Sequence, residues 1–254
     1  MDTNIEVEFR RLDLPTQLIP ILVLAVAAVS CGPSPDSPEA TGGDSPALEA
    51  GLFDNTGEKK LAVIMVDFPD AANPETVQEA RSVVFTGDTS TRAYYSEVSY
   101  GRMSLVGHLD PQGGDVFGPV TIPFPSWPCE WDQWAPVARE MVASEGFDAA
   151  NYDFAFYVFG GECTGFSRQH WSPPSMVVGG LSRGAQLHEG GHAFGWLHAN
   201  SYVCLQNDKR VTLSSSGCRI IEYGDLFSLM GSTEEGTASL LPPNNFLRGQ
   251  FNWY

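Results

Sequence analysis

Lysine is nearly missing from this chain: among 254 residues only Lys59, Lys60 and Lys209 occur. Arginine does not make up the difference. Fourteen basic side chains face 31 acidic ones, and the formal net charge is -17. So little positive charge cannot cover a phosphate backbone, which excludes a nucleic-acid binder. It also excludes a basic patch docked on anionic lipid headgroups. Long apolar runs are lacking as well. Leu18 to Val29 is an uncharged run of twelve, short of the about 20 residues a helix needs to cross a bilayer. There is no CxxC pair, which argues against a cysteine-built metal site. There is no EF-hand spacing, so calcium at acidic pairs such as Glu234 and Glu235 has no support. No internal repeat is visible. What remains is a chain with 43% hydrophobic residues, enough for a core of its own.

The short apolar run has Arg10 and Arg11 ahead of it and fits the hydrophobic part of a signal peptide. It ends Ala28-Val29-Ser30-Cys31, similar to a bacterial lipobox, in which Cys31 becomes the lipidated first residue. An ordinary secretory signal cleaved nearby is the alternative. Gly32 to Gly51 is rich in Pro, Ser, Gly and acid, the composition of a loose spacer. The expected organisation is a signal over 1–31, a tether over 32–57 and one catalytic domain over 58–254. The expected location is the bacterial cell surface or outer membrane as a lipoprotein, or else secretion. Membrane contact comes only through the anchor, and a monomer is expected. Beyond Cys31 the even set of Cys129, Cys163, Cys204 and Cys218 predicts two disulfides in an exported chain. Three pairings are possible. The short Ser-rich excursion favours Cys204–Cys218, which leaves Cys129–Cys163.

Along the domain, Lys60 to Phe68 is a continuous apolar run and predicts a buried strand. Asn73-Pro74-Glu75 predicts a helix to about Phe85, with Asn73 as N-cap. Further helices are predicted at 89–98 and 131–145, the latter ended by Gly146. Strands are predicted at 102–109, 120–124, 152–159 and 176–179. The order implies one layered α/β domain of the α+β kind.

The chemistry lies in His188-Glu189-Gly190-Gly191-His192-Ala193-Phe194-Gly195-Trp196-Leu197-His198, which holds three of the five histidines. On a helix, His188 and His192 lie about 40° apart in azimuth and one turn apart in height, so both reach one ion. Glu189 is turned about 100° from His188 and suits a general base. On a continuing helix His198 would lie about 15 Å along the axis from His188. Gly195, free to take positive φ, can end the helix and return His198 to the ion. Three neutral nitrogens and one open position describe a catalytic zinc site. Such a pattern arises by chance on the order of 10⁻⁵ times in a chain of this composition. Gly190 and Gly191 are costly inside a helix, about 1 kcal/mol each relative to alanine, which points to packing or function. His108 and His170 lie outside the motif and read as structural or surface residues.

The eleven residues resemble the metzincin zinc peptidases. Ser228-Leu229-Met230-Gly231, with Met230 32 residues after His198, resembles the methionine turn of that family. The stretch from Glu222 to Gly231 (EYGDLFSLMG), with Tyr94-Tyr95-Ser96-Glu97-Val98-Ser99-Tyr100-Gly101-Arg102, is similar to the gametolysin (autolysin) branch. The resemblance implies a twisted mixed sheet, an active-site helix and a Met-turn. It implies one zinc ion held by His188, His192 and His198, with Glu189 as base and Met230 packed beneath. It implies an endopeptidase that hydrolyses extracellular or cell-wall proteins through a zinc-held water activated by Glu189. The substrate would bind extended, against an edge strand near Met176 to Gly179. Some metzincins carry a tyrosine two residues after the methionine, where this chain has Ser232; Tyr223 is a candidate substitute. Asp225 either orients a histidine ligand or caps a turn. The rival reading is a catalytically inactive zinc-binding recognition lipoprotein on the same fold.

Overall fold

The structure is a computed structural model that describes residues 54–253 apart from Glu162, Thr164, Ser214, Ser215 and 232–240. The expected signal peptide with Cys31, the tether as far as residue 53, Ser232 and the Glu234–Glu235 pair lie outside the described residues.

β1 (Gly57–Asp67) is the axis of the main sheet. Its apolar run is unbroken because both of its faces are covered. Leu61, Val63 and Met65 enter one core, and Ala62, Ile64 and Val66 enter the other, as strand alternation requires. β4 (Phe154–Phe159) lies parallel along one edge. β2 (Met103–Val106) and then β3 (Asp115–Thr121) lie parallel along the other. β6 (Ser175–Gly179) continues the parallel order beyond β4, and β5 (Phe166–Arg168) closes the rim antiparallel to β6. The sheet is therefore mixed and the domain mixed α/β.

α1 (Val77–Arg81), α2 (Thr91–Val98) and α4 (Arg183–Phe194) cover the first face, and α3 (Trp131–Val142) covers the second. A smaller antiparallel sheet follows α4, built from β7 (Ser201–Gln206), β8 (Lys209–Arg210) and β9 (Cys218–Ile221). α5 (Asn245–Gln250) brings Leu247, Phe251 and Trp253 back into the first core. Both favoured disulfides form, Cys129–Cys163 and Cys204–Cys218. Cys204 and Cys218 face each other in register across β7 and β9. Among the described residues no helix is long and apolar enough to cross a membrane.

Four expectations are corrected. The first helix is capped by Thr76, not Asn73: Thr76 and Glu79 form a capping box that satisfies two backbone N–H groups at once. Asn73 instead ties its segment to β4, donating from Nδ2 to the Val158 carbonyl at 3.0 Å. The tether stops short of residue 57, because Asn55 is buried and donates from Nδ2 to the Phe194 carbonyl at 2.8 Å. The strand near Met176 is internal, because β5 occupies its outer edge. The third strand is Asp115–Thr121, earlier than expected: it pairs with β1 from Ala62 to Asp67, and its Asp115, Gly118 and Pro119 break the apolar pattern that marks a strand.

Asp115 is buried, and its carboxylate organises the turn between β2 and β3. It accepts from the backbone N–H groups of His108 (2.6 Å), Leu109 (2.8 Å) and Asp110 (2.8 Å), and from Tyr152 Oη (2.8 Å). Removing the acceptor leaves several donors unmet at once. Asp115→Ala should lower unfolding stability in urea by about 2–4 kcal/mol. A loss under about 0.5 kcal/mol, the range of an ordinary surface substitution, would deny the carboxylate this role.

Candidate metal centre

α4 carries His188, Glu189 and His192 and ends as its sequence demands. Gly195 takes φ 111°, its N–H bonds the His192 carbonyl at 2.9 Å, and the Trp196 N–H bonds the Gly191 carbonyl at 2.8 Å. That is a Schellman ending, which needs a left-handed residue at this position. It turns the chain so that His198 meets the first two histidines. The ring centroids lie 4.8 Å (His188–His192), 4.7 Å (His192–His198) and 5.6 Å (His188–His198) apart.

Each imidazole is oriented through its Nδ1. His188 Nδ1 lies 3.0 Å from the Leu229 carbonyl, His192 Nδ1 2.8 Å from the Trp196 carbonyl, and His198 Nδ1 2.7 Å from Glu222 Oε1. A carbonyl or carboxylate oxygen can only accept, so the hydrogen sits on Nδ1 and each Nε2 presents a lone pair. The Nε2 atoms of His192 and His198 face each other at 3.1 Å. With both hydrogens committed elsewhere, two lone pairs at that distance repel unless a cation lies between them. One ligand atom from each of the three histidines falls within 4.8 Å of the others, a set that can hold a metal ion. Burial also favours the neutral form, lowering the pKa of His188 and taking that of His192 down to about 3. Neutral, pre-oriented imidazoles are what a metal requires.

Glu189 is 7% exposed and accepts no hydrogen bond from the described residues. Burial pushes its carboxyl up to about 8. It is thus a carboxyl next to the histidines with no structural task, able to take and return a proton. A cation held by the triad would draw its pKa back down.

Met230 is fully buried under α4, in the turn whose backbone serves two ligands. The Leu229 carbonyl orients His188, and the Met230 carbonyl accepts from the Ala199 N–H at 2.7 Å, one residue after His198. The close approach explains both helix glycines. A Cβ at Gly191 would lie 2.5 Å from Met230 Sδ and 2.7 Å from Trp196 Cε3. A Cβ at Gly190 would lie 2.9 Å from Tyr95 Oη, which donates to the Leu187 carbonyl.

Tyr223 is not a core residue. Its ring lies 3.7 Å from that of His198, with φ 58°, and its N–H bonds Asn200 Oδ1. Asp225 caps its own turn: Oδ1 accepts from the Phe227 N–H and Oδ2 from Asn244 Nδ2. The carboxylate on the third histidine is Glu222, a residue whose role its sequence position does not reveal. His170 is exposed and His108 packs edge-on against Tyr152; neither joins the triad.

Two outcomes follow. Glu222→Ala should weaken binding of a divalent metal ion by about 10- to 100-fold in a chelator competition, with Gln restoring part of it as an uncharged acceptor; unchanged affinity would remove Glu222 from the site. Gly191→Ala should lower the urea midpoint, since overpacking costs about 1–3 kcal/mol against a helix-propensity gain of about 1 kcal/mol. A stabilised variant would show that Met230 and Trp196 yield freely. No family model matches the chain, and no curated protein matches it either, so what the centre does is read from its geometry.

Proposed function

We propose that this chain is an exported zinc-dependent endopeptidase of the metzincin kind. The observation that carries the reading is the pairing of three Nε2 lone pairs turned on one point with a buried, uncommitted carboxyl, Glu189. His188, His192 and His198 would hold the ion. Zinc bound there would polarise a carbonyl and lower the pKa of water to about 7. Glu189 takes a proton from the attacking water and passes it to the leaving amine nitrogen. Its burial keeps that proton exchange away from bulk solvent. Tyr223, whose ring lies 3.7 Å from that of His198 and tilted to it, would donate to the developing oxyanion. The outer edge of β5, not that of β6, would pair with the backbone of an extended substrate.

The Gly195 turn, the buried Met230 under α4 and the mixed sheet support the metzincin likeness. Two disulfides support an oxidising, extracytoplasmic setting. The rival is a zinc-binding recognition protein without activity; Glu189, which has no structural partner among the described residues, speaks for catalysis.

Zinc-loaded protein should cleave labelled casein, and Glu189→Ala should lose roughly 10²- to 10⁴-fold of that rate while still binding zinc. Zinc binding by the wild type with no cleavage of casein would hand the function to the rival.

A further inference from the structure

Between His198 and Glu222 the chain leaves the body as an arm made of β7, β8 and β9. Tyr202, Leu205, Lys209, Arg210, Arg219 and Ile220 on it are all exposed. Its charge runs against the rest of the molecule. Residues 201–221 carry three basic side chains and one acidic, whereas the remainder of 54–254 carries nine basic and 22 acidic. Among the described residues none of the three basic side chains makes an ion pair. The register places Val203 opposite Arg219 and Leu205 opposite Arg210. Val203 and Leu205 are two apart, so all four side chains share one face. Arg210 and Arg219 thus flank an aliphatic strip on β7, with strands about 4.8 Å apart. β8 and β9 have no further strand partner among the described residues, so both outer edges are open.

We propose that this arm is a specificity site that holds an acidic, extended segment of the polypeptide substrate, an inference that rests on the endopeptidase reading. An extended chain can add to an open strand edge while alternate side chains meet one face of the sheet. Carboxylates at those positions would pair with the guanidinium groups in two-pronged fashion, and the residues between them would cover Leu205 and Val203. A lipid surface or a nucleic acid cannot use a strand edge, and a wide polyanion would also meet the acidic body. Both ends of the arm sit at the metal centre, through His198 and Glu222, so a segment held there is tethered beside the reacting bond.

The test uses the full zinc-loaded chain carrying Glu189→Ala, which binds without cutting, and fluorescent peptides of alternating Val with Glu, Gln or Lys. Anisotropy should show the Val-Glu peptide binding roughly tenfold more tightly than the Val-Gln peptide, with the difference lost in high salt. Lys209→Glu/Arg210→Glu/Arg219→Glu should abolish that preference while zinc affinity stays unchanged; the milder Arg210→Ser/Arg219→Ser pair should reduce it. On the active background the triple variant should still cut a neutral peptide at the wild-type rate. Equal binding of Glu and Gln peptides would overturn the proposal. So would a preference that survives the triple variant. Arm-dependent binding to phosphatidylserine vesicles, or arm-dependent self-association, without peptide preference would overturn it as well. Because the binding assay needs no turnover, a chain that cuts nothing would remove the endopeptidase reading and still leave the acidic-peptide preference to be judged.

Discussion

Each histidine of the triad can offer Nε2 only because its Nδ1 hydrogen is given to an oxygen, and two of the three oxygens come from distant parts of the chain. One is the Trp196 carbonyl just past the helix, one the Leu229 carbonyl, one the Glu222 carboxylate. Much of the surrounding structure keeps those oxygens in place. The Gly195 ending turns the Trp196 carbonyl back to His192. The turn at Ser228 to Gly231 must pass directly beneath α4 for Leu229 to reach His188, and that approach leaves room at Gly191 for a hydrogen only. The base of the arm brings Glu222 to His198, and Tyr223 adopts a left-handed backbone there, a conformation that costs on the order of 1 kcal/mol and is held by its surroundings.

The same burial that fixes geometry sets protonation. Moving His188 and His192 out of water favours their neutral, ligating form, and moving Glu189 out of water favours its protonated form. An ion in the triad reverses the sign of the local field and returns Glu189 toward its basic form. Site and cation are therefore electrostatically matched. The strongly acidic body outside does not enter this balance, since exposed charges beyond about 10 Å are screened. Its effect is on what approaches, and the arm is the place where that sign changes.

Much of the fold was legible in residue patterns where local rules decide. The run Leu61 to Val66 showed a strand covered on both faces, since no half-exposed strand can be apolar at every position. Gly146 and Gly195 marked helix ends because left-handed backbone is cheap only for glycine. The Ser-rich loop between Cys204 and Cys218 favoured their bond. Local rules failed where two segments compete for one role. Asn73 is a sound N-cap in isolation, yet Thr76 with Glu79 satisfies more donors. β6 has the composition of either an edge or an inner strand, and only the three residues of β5, too few to leave a pattern, decide which.

By itself, the order of residues 188 to 198 determined the triad, its neighbouring carboxyl and the turn that unites them, because helical geometry and the freedom of glycine act within one stretch of chain. The even set of four cysteines and the short Ser-rich loop between Cys204 and Cys218 favoured the two bonds that form. The tertiary structure alone decided which oxygens orient the histidines, that Asp225 caps a turn while Glu222 serves His198, and why α4 tolerates two glycines. The decisive contacts among these, His188 to Leu229, His198 to Glu222 and Gly191 to Met230, join segments more than twenty residues apart, and no spacing rule along the chain encodes them.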